Sequence, residues 1–191
     1  MNYISNPTNK IFPEIDLGHY LLREQQESDV ADFFAYYSNP SVNRYILCDI
    51  PSDLETARRE LYFWRNIFYR NDGIYFAIAD KNDNGRMIGT IGLSGHNTYN
   101  SRIEISYDLN QNYWGYGIMS ACVRHVVEYA FREFKVNRVE AYTAIDNAAS
   151  KNLLLRANFT LEGILRQHRY HKGNYVDVYS FSLLASDFNN I

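Results

Sequence analysis

The pattern of apolar residues along this chain of 191 residues predicts one mixed α/β (α+β) domain, a sheet of about seven strands flanked by helices. Three observations predict it. Two segments with apolar residues at helical spacing follow one short apolar strand. The centre of the chain then changes to strands punctuated by turn residues, and the last third alternates helices with strands. The order β-α-α-β-β-β-α-β-α-β-β packs as helices layered on a sheet. No repeat, low-complexity tract or Pro/Gly/Ser linker divides the chain. The expected division is an N-terminal extension over 1–17, the domain over 18–185 and a tail over 186–191.

Taken in order, residues 19–23 (HYLLR) read as the first strand. Ser28 is placed to cap a helix carrying Val30, Phe33, Phe34 and Tyr37, which Asn39-Pro40 stops. A second helix begins after Pro51, capped by Ser52 or Asp53, and runs to Tyr69. Its Leu54, Ala57, Leu61, Trp64, Ile67 and Phe68 recur at three and four. Residues 74–79 and 86–93 flank the turn sequence 80–85 and form a hairpin. Residues 102–109 alternate: Ile103, Ile105, Tyr107 and Leu109 face one way, Glu104, Ser106 and Asp108 the other. The loop 110–117 leads into a long helix with a stripe of Met119, Cys122, Val123, Val126, Val127, Ala130 and Phe134. A strand over 138–145 follows, then a short helix capped by Asn147 and ending at Arg156. Strands over 160–170 and 175–184 close the chain.

Composition narrows the function. Hydrophobic residues at 46% and charged residues at 21% belong to a folded globular chain, not a disordered one. A net charge of −3 argues against a direct nucleic-acid binder, which needs clustered Lys and Arg. No run approaches the roughly 18 apolar residues of a membrane span. Cys48 and Cys122 lie far apart with no CxxC, and the first residues have no signal-peptide pattern, so a cytoplasmic setting is expected. Aromatic residues reach 16%, a surplus that suits either a core or the lining of a cleft.

The most informative stretch is Asn112-Tyr113-Trp114-Gly115-Tyr116-Gly117 ahead of the long helix. Glycines at a helix start present several backbone N–H groups in one concavity at the positive helix end, which suits a diphosphate; a plain tight turn is the other reading. Gly117 is followed by Ile118, so a Walker A loop fails, and Ser120 stands where a dinucleotide fingerprint wants a third Gly or Ala. Gly92-Leu93-Ser94-Gly95-His96 misses the spacing of a nucleophile elbow. His168 and His171 are three apart on a strand, on opposite faces, and no HExxH exists, so no metal site is expected.

Segments 102–117 and 138–159 resemble the GNAT superfamily of acetyl-coenzyme A-dependent N-acetyltransferases. The loop 112–117 stands for its Arg/Gln-x-x-Gly-x-Gly/Ala motif, and Asp146-Asn147-Ala148-Ala149-Ser150 with Ala157-Asn158-Phe159 for its N-x-x-S … G-F segment. Trp114-Gly115-Tyr116-Gly117-Ile118-Met119-Ser120 and Phe159-Thr160-Leu161-Glu162-Gly163 are similar to the branch that acetylates ribosomal-protein N-termini. The likeness covers residues 18 to 185. Asn112 departs from the usual Arg or Gln, and Asn158 from the usual Gly, although Asn tolerates the left-handed conformation of a helix C′ position.

The resemblance implies a mostly antiparallel sheet whose strands 102–109 and 138–145 splay apart to admit acetyl-CoA. It implies a diphosphate held over Asn112, Tyr113, Trp114, Gly115, Tyr116, Gly117, Ile118 and Met119. Backbone groups of Tyr107 and Leu109 would pair with the pantetheine amides, as an added strand does, and Asn147 would hold the arm from the other side besides capping its helix. Lys151 and Arg156 are within the family's reach of the 3′-phosphate, or are simply solvated. The acceptor implied is a primary amine, with a protein N-terminal α-amine favoured over small amines such as polyamines or aminoglycoside-like compounds; a non-catalytic acyl-CoA-binding module is the other class. Monomer and homodimer both remain open. An α-amine with pKa ~7.7–8.0 needs about 1 kcal/mol to deprotonate at pH 7, against about 4.6 for a lysine. Glu104 is the expected proton acceptor, its bland reading being a surface carboxylate paired with Arg102; Glu162 is a second, more structural candidate. The family's Tyr seven residues after the Asn is Leu154 here, so Ser150 is the expected donor to the leaving thiolate, or else a turn hydroxyl. The aromatic segment 61–69 and Tyr170 would wall the acceptor pocket.

Overall fold

The computed structural model describes residues 10–188. Its strands are β1 (Ile15–Asp16), β2 (Tyr20–Arg23), β3 (Gly73–Asp80), β4 (Arg86–Asn97), β5 (Arg102–Leu109), β6 (Arg138–Ala144), β7 (Thr160–His171) and β8 (Asn174–Leu184). They form one sheet in the order β1-β2-β3-β4-β5-β6-β8-β7, antiparallel throughout except for β5 beside β6. The helices are α1 (Val30–Tyr37), α2 (Pro40–Asn43), α3 (Leu54–Tyr69), α4 (Ile118–Tyr129), α5 (Ala148–Arg156) and α6 (Ala185–Phe188). The sheet has one strand more than expected. β1 is two residues long, too short for any period to register, and lies within the segment 1–17 expected as an extension. Residues 1–9 and 189–191 of the expected extension and tail lie outside the described residues.

The side-chain alternation of each central strand sorts the core into two layers. Ile74, Phe76 and Ile78 of β3 and Ile103, Ile105 and Leu109 of β5 pack with Cys122, Val123, Val126 and Val127 of α4 and with Leu153 and Leu154 of α5. On the other face Ala77 and Met87 pack with Val30, Phe33, Tyr36 and Tyr37 of α1 and Ala57 and Leu61 of α3. Helix boundaries follow capping chemistry. Asp53 Oδ1 accepts the Thr56 N–H at 2.7 Å to start α3, and Asn147 Oδ1 accepts the Ser150 N–H at 3.1 Å to start α5. Asn158, past the end of α5, is left-handed with φ 64°.

Three local expectations are corrected. Ser28 does not cap α1; it sits inside a 3₁₀ turn over Glu27–Asp29, where Asp29 instead accepts the Gln26 N–H at 2.7 Å and pairs with Arg23 at 2.7 Å. Asn39-Pro40 stops α1 but also starts α2, with Asn39 accepting from the Ser41 N–H and Pro40 in the first turn, where its missing N–H costs nothing. The long helix changes to a π-helical turn over Ala130–Phe134.

β5 and β6 pair only at Arg102↔Arg138, Ile103↔Val139 and Glu104↔Glu140. β5 stays paired with β4 to Leu109, and β6 with β8 to Ala144, so the two strands part while each keeps its outer neighbour. The splay implied by the family resemblance is present. On the α1/α3 face, the Tyr75 ring lies across Gly92, its cross-strand partner, and its hydroxyl bonds Ser106 on β5. A Cβ at Gly92 would come within 2.3 Å of that ring. Gly92→Ala is therefore expected to cost about 1–3 kcal/mol of stability by displacing Tyr75, read as a lower urea midpoint at unchanged m value. An unaltered midpoint contradicts this packing.

Candidate active site

One cavity of about 760 Å³ connects the start of α4, the gap between β5 and β6, and a space between the sheet and α1/α3. At its first end Gly115 (φ 84°) and Gly117 (φ 77°) are left-handed, and a Cβ built on either meets no atom within 4 Å. Gly117 is the N-cap of α4, no side chain caps it, and no acidic residue lies in the first turn. The first turn thus leaves N–H donors of a twelve-residue helix facing open space, the donor set that an anionic diphosphate requires. Gly115, Gly117, Ile118, Met119, Tyr113, Trp114 and Arg156 line the cavity. Asn112 and Tyr116 do not: both side chains are exposed, and Asn112 gives its N–H to Asn110 Oδ1. Lys151 is turned away, its ammonium 4.6 Å from the Tyr179 ring.

In the gap, the Asn110 N–H donates to the Ile88 carbonyl at 2.8 Å. Antiparallel alternation then directs the backbone N–H and C=O groups of Tyr107 and Leu109 away from β4, toward the side that β6 has vacated. The Leu109 carbonyl is already engaged there by Trp114 Nε1 at 2.8 Å, which folds the loop against the strand. Asn147 lines the gap opposite while its oxygen caps α5. Ser150, one turn into α5, brings its hydroxyl to 2.9 Å from the Tyr107 hydroxyl. Burial pushes the Tyr107 phenol up to about 12, partly offset by that bond, so it remains a neutral donor at physiological pH. Leu154, at the position where the family resemblance has a tyrosine, is a core residue. The phenol of this site comes from β5 instead.

Beyond the gap the polar side of β5 faces the α1/α3 layer. Glu104 lies in the cavity wall, with Arg169 Nη2 on both its oxygens at 2.8 and 3.0 Å. Its expected partner Arg102 pairs with Glu140 instead. Glu162 is a structural residue, bound by Arg138 at 2.7 Å and Ser182 at 2.8 Å, and Arg138 holds its carboxyl below the usual range. Asp108 is half-buried and faces the cavity. It accepts from the Tyr36 hydroxyl at 2.7 Å, the Thr90 hydroxyl at 2.6 Å and the Thr90 N–H at 3.2 Å. Burial raises its pKa from 3.8 to about 6 despite these bonds. Trp64, Leu61, Tyr37, Tyr45 and Cys48 complete this arm. Tyr170 is exposed and meets Tyr175 edge-on, outside it. Among the described residues no group of His, Cys, Asp and Glu is arranged to hold a metal.

Residues 19–160 match the family model of the acetyltransferase (GNAT) domain. The chain is 33% identical over 167 residues to the uncharacterized N-acetyltransferase p20 of Bacillus licheniformis, covering 87% of this chain and 93% of that one. It is 30% identical over 139 residues to the putative ribosomal N-acetyltransferase YdaF of Bacillus subtilis, covering 72% and 74%. Among solved structures, a ribosomal-protein-S5-alanine acetyltransferase from Vibrio fischeri superposes with a TM-score of 0.79 at 23% identity, covering 92% and 98%. A spermidine N-acetyltransferase from Vibrio cholerae, solved with CoA and spermine, gives 0.77 at 20% identity, covering 90% and 99%. These two structures are alike in fold. The chain belongs to the GNAT acetyltransferases, enzymes that take acetyl from acetyl-CoA.

Tyr107 as a side chain, Asp108 and Arg169 were not found from sequence. For Asp108 a signal existed: a carboxylate on the same side of the alternating strand as Glu104, one residue before the strand ends. A carboxyl whose pKa rises on folding weakens the fold as pH climbs from about 4 to 6, because the folded state then holds a proton that the unfolded state has released. Asp108→Asn removes that term, and Thr90 Oγ can rotate to accept from the new amide. Its stability relative to the parent is expected to rise between pH 4.5 and 7.5, by about 2 kcal/mol. Denaturation at the two pH values checks this, and a pH-independent difference would contradict it.

Proposed function

We propose that this enzyme transfers acetyl from acetyl-CoA to a protein N-terminal α-amine by direct attack on the thioester. The observation that carries the reading is the hydroxyl pair Tyr107–Ser150, set in the same cavity as the amide cradle at Gly115 and Gly117. The backbone N–H groups from Gly115 to Met119 hold the diphosphate, with Arg156 at the phosphate end. Asn112 and Tyr116 contribute through the main chain alone. Tyr107 and Leu109 present backbone groups to the pantetheine amides, with Asn147 opposite.

The N–C bond forms as the C–S bond breaks. Ser150 donates its hydroxyl hydrogen bond to the departing sulfur while Tyr107 donates to Ser150 Oγ, fixing that hydrogen's direction. The proton lost by the amine passes through water to Glu104, which Arg169 holds against the cavity wall. An α-amine suits this arrangement because its pKa of ~7.7–8.0 leaves an appreciable neutral fraction near pH 7, far more than a lysine has. The ribosomal N-acetyltransferase named among the relatives supports the same choice. Small amines are the second reading, favoured by the carboxylates facing the inner arm.

Thiol release with a panel of N-terminal peptides, polyamines and aminoglycosides tests the proposal, which expects turnover to be greatest with peptides. Retention of acetyl-CoA without turnover of any amine would make the chain a binding module instead. Gly117→Glu is expected to lower CoA affinity at least a hundredfold, since a carboxylate then fills the anion cradle; calorimetric titration with CoA reads it. Ser150→Ala is expected to lower kcat about tenfold or more with little change in CoA affinity. Equal turnover would remove Ser150 from the chemistry.

A further inference from the structure

Resting on the reading of the inner arm as the amine-acceptor site, we propose that it selects acceptors carrying a second cationic group, which Asp108 holds. The reacting nitrogen must be neutral to attack, and an anion beside it stabilises its ammonium form. A cavity-facing carboxylate other than the proton acceptor therefore suits a cation that does not react. Asp108 is such a group. It accepts from Tyr36 and Thr90, both uncharged, and among the described residues no Lys, Arg or His pairs with it. A half-buried ion in this cavity wall is stabilised most by an opposite charge, which none of the described residues provides.

The surroundings point the same way. The charged side chains lining the whole cavity are Glu104, Asp108, Arg156 and Arg169. Arg169 is engaged by Glu104, and Arg156 stands in the last turn of α5, six residues beyond Ser150. At the inner arm the negative charges of Glu60, Asp108 and Asp49 all act on Cys48, and Glu60 is fixed by Trp64 Nε1 at 2.7 Å. The walls are aromatic: Trp64 and Tyr75 lie with ring centroids 4.4 Å apart, and Tyr37 lines the same space. Aromatic faces around an anion favour ammonium and guanidinium groups. Independently, Gln25 lines this cavity with 2% of its surface exposed, and neither its carboxamide oxygen nor its nitrogen has a partner. A buried amide left open is expected to meet a polar ligand, and its oxygen accepts the N–H donors of a cation.

The ligand chemistry is a primary amine with a second positive charge a few bonds away, available from a free polyamine or from a protein N-terminus followed by a basic residue. The test uses the full chain loaded with CoA. Binding is measured for putrescine against butylamine, and for a peptide beginning Ser-Lys against the same peptide beginning Ser-Gln; kcat/KM with acetyl-CoA is measured in parallel. At least a tenfold preference for the dication is expected in one pair: in the first for a polyamine, in the second for a basic N-terminus. Asp108→Asn is expected to bring that ratio near one, chiefly through KM. Tyr36→Phe removes a bond to Asp108 but keeps its charge, and is expected to retain the ratio. Equal binding of both members in both pairs overturns the proposal, as does a ratio that Tyr36→Phe lowers as much as Asp108→Asn does. Binding that discriminates without any turnover would leave this selection standing and sink the acetyl-transfer reading beneath it.

Discussion

The early end of the β5–β6 ladder is the constraint on which the site depends. Three residue pairs hold the strands together, and beyond Glu104 the inner edge of β5 has no strand beside it. Backbone groups at a vacated edge are costly to leave dry, so the edge must face water or a ligand that hydrogen-bonds as a strand does. The outer neighbours β4 and β8 keep β5 and β6 extended across the gap. The opening is thereby framed by a paired strand on each side. α4 and α5 lie on one side of it, and the α1/α3 layer on the other. In the proposed reading the donor enters from the first side and the acceptor from the second.

β5 serves both sides through its period of two. Odd positions supply the core contacts of Ile103, Ile105 and Leu109 together with the Tyr107 phenol that reaches Ser150. Even positions supply Glu104, Ser106 and Asp108 to the α1/α3 face, each held by a different partner: Arg169, Tyr75 and Tyr36. A one-residue slip against β4 would exchange the two sets and destroy both functions at once. The Tyr75 ring lying over Gly92 ties β3 to β5 across β4 and helps fix that register.

Much of this was legible in the sequence because it depends on short spacings. The glycine pair before Ile118, the Asn147 cap, the left-handed Asn158 and the alternation of β5 all lie within one turn or one strand. What escaped was contact between distant segments. Tyr107 meets Ser150 across 43 residues, Glu104 meets Arg169 across 65, and Asp108 meets Tyr36 across 72. Local charge pattern offered Arg102 as the partner of Glu104, but the parallel register sends Arg102 to Glu140. Pairing of this kind is set by the order of strands in the sheet, which propensity does not encode.

The most direct measurement is amide hydrogen exchange with and without CoA. Exchange is expected to slow at Tyr107 and Leu109 on β5 and at Gly115 through Ser120, with strands β1 to β3 unchanged. Exchange at these amides that CoA leaves unaltered, under conditions where it is bound, would contradict the assignment of the open strand edge and the α4 N-terminus as the cofactor's seat.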